Sequence, residues 1–311
     1  MITTMHATTA AAVSNRLASM RRSSGANTFT RVLTLIIVAD DLDGAEHGIR
    51  AANGASREHP CRIIAVVPQD GEGPASIDAE IRVGGDAGLS EVVILQPKGE
   101  PADAVDTLVM PLLLPDAPIV VWWTGQPPAE PSRDPLGAMA QRRITDVTAS
   151  ADPLATLRSL APGYAPGDTD LAWARVTLWR GLLAATLDEP PHAPITAARV
   201  TGAAGRPSVY MLAAWLADSL GVPVEIGVEE STAVTRIELE REPGPITLRR
   251  TPGTSVAFLS RPGRIDQRIN LPERTIADCL TEELRRLDAD ETYGRALTRG
   301  LPLVVPAEVH S

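Results

Sequence analysis

The chain has 311 residues, of which 44% are hydrophobic and 22% are charged, a balance typical of a folded, soluble protein with one large or two ordinary domains. Its formal net charge of −10 disfavours nucleic acid as a partner, because phosphate backbones are bound by clustered lysine and arginine. The two cysteines, Cys61 and Cys279, lie outside any CxxC spacing, and the five histidines form no paired motif. We therefore expect buried, inert thiols and no metal site.

The N-terminal region shows no targeting pattern. No stretch approaches the roughly 20 consecutive apolar residues of a membrane-spanning helix. Arg16, Arg21 and Arg22 follow the first apolar residues instead of preceding them, which is not the order of a signal peptide. The sequence therefore predicts a cytoplasmic protein that does not associate with a membrane, and its first helix is predicted to be short and amphipathic.

Apolar runs in the first half alternate with helical patterns, as in a βαβ fold. The predicted strands are Arg31–Asp40, Cys61–Val67, Ile77–Val83, Glu91–Leu95 and Ile119–Val121, and the main predicted helices follow Asp41 and span Ala102–Leu114. The turn after Val38 reads ADDLDG, which is acidic and lacks the GxGxxG pattern, so no dinucleotide cofactor is expected. The predicted fold class is α/β, with a mainly parallel N-terminal sheet and flanking helices.

A proline- and glycine-rich stretch, APGYAPGD at residues 161–168, marks the predicted domain boundary. It gives an N-terminal α/β domain of residues 1–163 and a C-terminal domain of residues 164–311. Asp168 or Asp170 is predicted to cap one long helix that stops before Pro190. Since apolar residues lie nearly all round this helix, we expect other elements or another chain to bury it.

The rest of the C-terminal domain combines a parallel unit with an antiparallel meander. Residues 197–228 read as strand, helix and strand, with the helix closed by Gly221. Three Pro-Gly pairs, at residues 243–244, 252–253 and 262–263, suit type II turns. The segments between them alternate apolar and polar residues, so about four strands with one wet face are predicted. Helices near Ile276 and Asp290 close this α/β (α+β) domain.

The turn between the predicted strand and helix, GAAGRPS, has the ingredients of an anion cradle: Gly202, Gly205, Arg206 and Ser208 at a helix N-terminus. The alternative is a plain tight turn with Ser208 as the helix cap. No lysine or acidic residue completes a P-loop or a ribose site, which favours the plain turn.

Tryptophans and arginines supply a second set of candidate residues. Trp122 and Trp123 point to opposite sides of a buried strand, so one is expected in the core and the other facing a loop or a partner. Arg142 and Arg143 are predicted on a helix, where they form either a docking patch or a solvated face. No Ser-His-Asp or Cys-His set can be assembled, so no catalytic residue is predicted.

Several long strings resemble one protein family. These strings are ASREHPCR, IRVGGDAG, VMPLLLPDAPIVVWW, DPLGAMAQRRITD, YAPGDTDLAWARVTLWRGLLA and LAAWLADSLGVPV, and they resemble actinobacterial members of the OpcA family of glucose-6-phosphate dehydrogenase assembly proteins. The resemblance implies a non-catalytic protein that associates with glucose-6-phosphate dehydrogenase and supports its active oligomer. The step served would then be NADP-dependent entry into the oxidative pentose phosphate pathway.

Trp and Arg dominate interface hot spots, so we expect the dehydrogenase-docking or allosteric residues to be among Trp122, Trp123, Arg142, Arg143, Trp173 and Arg175. The rival hypothesis is a sugar-phosphate- or nucleotide-binding enzyme or sensor that uses the turn at residues 202–208. A structural scaffold with another partner is a third. Whether the chain forms a homo-oligomer is left open.

Overall fold

The computed structural model describes residues 1–23, 32–69, 74–84 and 90–306, and these form two compact units. The first unit comprises Met1–Ser150, Gly167–Thr169 and Ile276–Ala289, and the second comprises Ala151–Pro166, Asp170–Thr275 and Asp290–Ser311. Each unit is therefore assembled from several stretches of sequence. The domain bounds 1–163 and 164–311 stay a prediction.

The described residues carry strands and helices throughout both units. The helices are α1 (Ala10–Ser23), α2 (Leu42–Ala55), α3 (Glu100–Asp103), α4 (Val105–Val109), α5 (Pro135–Met139), α6 (Pro153–Leu160), α7 (Leu171–Ala174), α8 (Thr177–Leu187), α9 (Pro207–Leu220), α10 (Ile276–Arg285) and α11 (Glu291–Arg295). The first sheet contains β1 (Ile2–Met5), β2 (Leu33–Val38), β3 (Cys61–Val66), β4 (Ser76–Arg82), β5 (Glu91–Lys98), β6 (Ile119–Trp123), β7 (Arg142–Thr145) and β8 (Asp168–Asp170). The second contains β9 (Ala197–Gly202), β10 (Val224–Val228), β11 (Val234–Glu240), β12 (Ile246–Arg250), β13 (Val256–Ser260), β14 (Gln267–Asn270) and β15 (Val304–Val305).

The first sheet has the strand order β1-β4-β5-β3-β2-β6-β7-β8. Strands β5, β3, β2, β6 and β7 run parallel, and β4 and β1 continue the sheet in antiparallel pairing. Every residue of β3 is buried, as is expected of a strand covered on both faces by helices. The prediction of an α/β fold with a mainly parallel sheet is confirmed.

The prediction of one continuous helix across residues 102–114 is wrong. The structure has α3, then α4, and then a single 3₁₀ turn over Met110–Leu112. Pro111 lies inside the predicted span, and its ring removes the amide that a continuing α-helix needs. The amphipathic helix expected near the N-terminus is present as α1, whose Val13, Leu17 and Met20 are buried in the core of the unit.

The second sheet has the order β14-β13-β12-β11-β9-β10-β15. Strands β11 to β14 pair in sequence as an antiparallel meander, and β9 runs parallel to β10. Along β12 buried residues alternate with more exposed ones, so the predicted meander with one wet face is confirmed. Gly253 and Gly263 have φ near +70°, as a type II turn requires, whereas the Glu242–Pro243 peptide is cis and that turn is of another kind.

Both cysteines are free and buried, as the sequence predicts. The Sγ atom of Cys61 lies 3.3 Å from the hydroxyl of Ser56. Within the described ranges, no group of three or more histidine, cysteine, aspartate or glutamate side chains is placed to hold a metal ion. None of the helices in those ranges has both the length and the apolar character needed to cross a bilayer.

Candidate functional site

Arg142 and Arg143 lie in the strand β7, so the prediction that they sit on a helix is wrong. The helix before them, α5, ends at Met139, and β7 then pairs in parallel with β6. The backbone ladder to β6 takes precedence over the weak local pattern of this charged, four-residue segment. Both side chains are buried, at 4% and 7% exposure, so the solvated helix face is also excluded.

Each of these two arginines has a carboxylate partner inside the first unit. Arg142 forms an ion pair with Glu283 and donates from Nη1 to the carbonyl of Asp288 at 2.8 Å. Arg143 forms an ion pair with Asp168. Because a buried charge is tolerated only when it is paired and hydrogen-bonded, this arrangement is that of a structural ion pair.

Trp122 and Trp123 are both buried, with 2% and 3% exposure. The expectation that one of them faces a loop or a partner is wrong, because both faces of the parallel sheet are covered. The two rings do project to opposite sides of β6, and Trp123 packs in the core cluster with Ile36 and Leu136. The two tryptophans are therefore buried side chains that pack against the sheet.

Trp173 is buried in the second unit, where both its indole N–H and its ring have interaction partners. Its Nε1 donates to Oδ2 of Asp290 at 2.8 Å. The guanidinium of Arg180 lies 3.4 Å from the ring centroid, a cation–π contact, and Tyr293 meets the ring edge-on at 5.9 Å. At the neighbouring Trp179 ring, the cation–π contact comes from Arg250.

The long helix predicted after Asp168 is two helices. Asp170 caps α7, with its Oδ1 accepting from the amide of Ala172 at 2.7 Å. The helix stops at Ala174, whose carbonyl accepts from Nη1 of Arg274 at 2.7 Å, and α8 begins at Thr177. Arg274, which is distant in sequence, thus satisfies a carbonyl at the C-terminus of α7 and favours the end of the helix at that point. Arg175 lies in the break.

The turn at residues 202–208 has the tight geometry that its glycines allow. Gly205 has φ +64°, and a Cβ at Gly202 would lie 2.6 Å from the carbonyl oxygen of Ala233. Arg206 occupies the N-cap of α9. Ser208 is buried inside the first helical turn, so its predicted role as the cap is wrong.

Arg175, Arg206 and Ser208 line one open cleft of the second unit. The sequence assigned them to two different candidate sites, and the structure brings them together. We call this site the arginine cleft, and its described lining is Arg175, Val176, Trp179, Arg206, Ser208, Ala233, Val234, Arg250, Glu273 and Arg274. Gly202 and Gly205 shape the turn beside it without belonging to that lining.

Among the arginines that line the arginine cleft, Arg250 is the most buried. It is 4% exposed, and its Nη2 donates to the carbonyl of Val234 at 2.7 Å and to Oε1 of Glu273 at 3.0 Å. Its guanidinium lies 5.6 Å from the centroid of the Trp179 ring. Burial lowers the pKa of Arg250, and the Glu273 carboxylate offsets this only in part.

Sequence reasoning missed Arg250, Glu273 and Arg274. Arg250 ends the alternating strand β12 on its buried side, where an apolar residue is the usual choice. An arginine at an inward position of an alternating strand is the signal that could have found it. Glu273 and Arg274 lie in an irregular segment before α10, where no periodicity identifies them.

Models of one protein family match both halves of the chain in order. The model described as glucose-6-phosphate dehydrogenase subunit N-terminal domain matches residues 52–162, and the C-terminal domain model matches residues 166–297. The chain is also 30% identical over 160 residues to a Synechococcus elongatus protein described as "Putative OxPP cycle protein OpcA". That alignment covers 48% of this chain, and the chain spans only 35% of that relative's length.

Among solved structures, the chain is similar to one from E. coli described as trehalose-6-phosphate bound with UDP-2-fluoro glucose. The alignment covers 63% of this chain and 65% of that one, with 9% sequence identity and a TM-score of 0.26. A likeness this weak carries no argument about fold or ligand.

Proposed function

The chain belongs to the family of glucose-6-phosphate dehydrogenase subunits, and from this premise we propose that it is a non-catalytic assembly factor and allosteric activator of that enzyme. It binds the dehydrogenase and promotes its active oligomer in the oxidative pentose phosphate pathway. The observation that carries the proposal is the match of both domain models, in order, to residues 52–162 and 166–297. The OxPP-cycle description of the Synechococcus relative also supports it.

Most of the residues predicted to dock the dehydrogenase are buried, so we propose that the dehydrogenase contact lies on other residues. Five of the six, namely Trp122, Trp123, Arg142, Arg143 and Trp173, are less than 9% exposed. We propose that these five support dehydrogenase binding only through the fold. Arg175 is partly exposed and lines the arginine cleft.

We place the dehydrogenase contact on the outer face of α8. Leu178 is 41% exposed, and Gly181 and Ala185 are also exposed, at spacings that put all three on one face of the helix. A Cβ at Gly181 would meet no atom within 4 Å, so this face is open. Trp179 and Leu183 fill the opposite, buried face. An exposed apolar helix face suits docking onto an apolar groove of a partner.

The first test is kinetic. Initial rates of the cognate dehydrogenase are measured across glucose 6-phosphate concentrations, with and without this protein, and the mixture is run on a sizing column. We expect co-elution, together with a lower half-saturating substrate concentration or a higher turnover. The chain alone should oxidise no glucose 6-phosphate. Neither co-elution nor a rate change would refute the proposal.

The second test locates the contact. Leu178→Glu places a charge on the outer face of α8, and we expect it to abolish co-elution and activation while the melting temperature stays within a few degrees of the wild type. Ile265→Glu is the matched control, because Ile265 is an apolar side chain with 92% exposure. If Leu178→Glu co-elutes as well as Ile265→Glu does, the contact lies elsewhere.

A further inference from the structure

The second sheet has one face whose side chains are mostly exposed, and we call it the open sheet face. Residues directly opposite each other on paired strands point to the same side of a sheet, so the strand register identifies its members. One row holds Arg236, Arg249, Phe258 and Arg268, and the next holds Val305, Glu225, Arg199 and Glu238, with Glu240 two residues beyond Glu238. Arg236 and Glu238 are partly buried, and the other members are exposed.

The half of this face over β12, β13 and β14 is aromatic and basic. Phe258 is 40% exposed and lies between Arg249 on β12 and Arg268 on β14. Neither guanidinium forms a hydrogen bond or an ion pair with a residue in the described ranges, and this includes Asp266, two residues before Arg268. Aromatic residues and arginine are the types enriched at protein interfaces.

The other half of the open sheet face is concave and acidic. A hollow of about 560 Å³ lies there, and its charged lining is Arg199, Glu225, Glu238 and Glu240. Arg199 pairs with Glu225, whereas the carboxylate of Glu240 has no ion-pair partner among the described residues. Val305 adds an apolar side chain that is 44% exposed. This half thus has the charge opposite to that of the half around Phe258, together with an apolar contact for a ring.

The two halves lie on opposite sides of the middle strand. β11 is the fourth of the seven strands, with β12, β13 and β14 on one side and β9, β10 and β15 on the other. A two-fold axis that runs along β11, just above the open sheet face, therefore brings the basic half of one copy onto the acidic half of a second. Every contact then occurs twice, as in any isologous interface. Sheets that pack face to face lie about 10 Å apart, a distance that arginine and glutamate side chains from the two sides can span.

We propose that a second copy of this chain covers the open sheet face. Charge complementarity carries this proposal, because the free arginines of one copy meet the glutamates of the other. A different, acidic partner protein would account for the arginines beside Phe258 but not for the acidic hollow on the same face. The formal net charge of −10 makes copies of the chain repel each other, so their association needs a face that supplies its own cations.

The test is sedimentation equilibrium of the full chain without the dehydrogenase. We expect a reversible dimer with a dissociation constant on the order of 10 µM, since an interface this polar is weak for its area. Arg249→Glu with Arg268→Glu should weaken the dimer at least about tenfold, because like charges then meet across the interface. Glu225→Arg with Glu240→Arg should weaken it to a similar extent from the other half.

The decisive measurement mixes these two charge-reversed variants. Each reversed half finds the opposite charge only on the other variant, so the mixture should form a one-to-one heterodimer about as tightly as the wild type dimerises. Arg286→Glu with Arg299→Glu is the matched control. Both arginines are exposed, lie outside the second sheet and change the net charge by the same amount, so this variant should dimerise as the wild type does.

Circular dichroism melting of each variant separates lost association from lost structure. Phe258→Ser removes only the exposed ring, and it should also weaken the dimer if a charge-reversed variant does not fold. The proposal is overturned if the wild type stays monomeric up to about 200 µM. It is also overturned if the folded charge-reversed variants dimerise as tightly as the control, or if their mixture forms no heterodimer. Because no dehydrogenase is present, none of these outcomes bears on the activator proposal.

Discussion

Two groups of arginines in this protein differ in their exposure to solvent. In the first unit, Arg142 and Arg143 are both buried, and each contacts a carboxylate, Glu283 or Asp168. In the arginine cleft, Arg250 is buried, and the three other arginines of the lining are partly exposed. Removing the carboxylate from a buried arginine leaves a charge without compensation inside the protein, whereas a partly exposed arginine keeps its contact with water. The same type of residue is therefore expected to matter more for stability in the first group than in the second.

The largest expected effect tests the paired group. Glu283→Ala leaves Arg142 buried without its carboxylate, and we expect the free energy of unfolding to fall by about 3–5 kcal/mol. The measurement is urea denaturation of the wild type and the variant. The double variant Glu283→Leu with Arg142→Met should recover most of the loss, since it removes both buried charges. A loss below about 1 kcal/mol in the single variant would place this pair with the weak surface pairs.

The second prediction concerns Trp173, which the sequence placed among the docking residues. Trp173→Phe keeps most of the apolar volume but removes the indole N–H that donates to Asp290. A hydrogen bond to a charged group contributes about 1.5–3 kcal/mol, so we expect a loss of about 2 kcal/mol in unfolding free energy. Activation of the dehydrogenase by the folded fraction should stay unchanged. Reduced activation at unchanged stability would return Trp173 to the docking surface.

The smallest expected effect concerns pH and a partly buried ion pair of the first unit, Glu46 with Arg82. The hydrogen bond from Arg82 lowers the pKa of Glu46 below its ordinary value of 4.5. Because the folded-state pKa is the lower one, the stabilisation is present above pH 4.5 and is lost as the pH falls through the folded-state value. Solvent screening limits it to about 0.5 kcal/mol.

Urea denaturation at pH 7 and pH 3.5 measures this contribution in the wild type and in Glu46→Gln. The wild type should lose more stability on acidification than the variant does, by that small amount. Equal losses in the two proteins would show that the Glu46–Arg82 contact adds nothing to stability.

Much of the fold could be predicted from local patterns. The apolar runs of β2, β3, β5 and β6 identify a parallel sheet because both faces of those strands are buried, and Pro-Gly pairs identify the meander because they fix its turns. The helix break before Thr177 could not be predicted, since part of its cause is Arg274, a hundred residues along the chain. A hydrogen bond between residues that are distant in sequence does not alter the local pattern of apolar and polar residues, so that pattern cannot predict it.

The candidate site could be predicted only in part. Glycines beside Arg206 and Ser208 drew attention to the turn, because that composition is typical of anion loops. Arg175 was noticed for a different reason, its place beside tryptophans. Nothing in the sequence says that these residues meet Arg250, since their proximity depends on the pairing of β11 with both β9 and β12. In the same way, the partner of Arg142 lies 141 residues away.

The segment Ile276–Ala289 belongs to the first unit, although nearly all of the second unit precedes it in sequence. Within the first unit, α10 packs on α2, where a Cβ at Gly54 would lie 3.0 Å from Ala277. A ribosome delivers the chain from its N-terminus, so α2 cannot be covered by α10 until residues 276–285 have been synthesised, after most of the second unit. Nascent chains arrested before residue 276 should therefore expose hydrophobic surface of α2 to chaperones and proteases, and a fragment that ends before residue 276 is expected to leave the first unit incomplete.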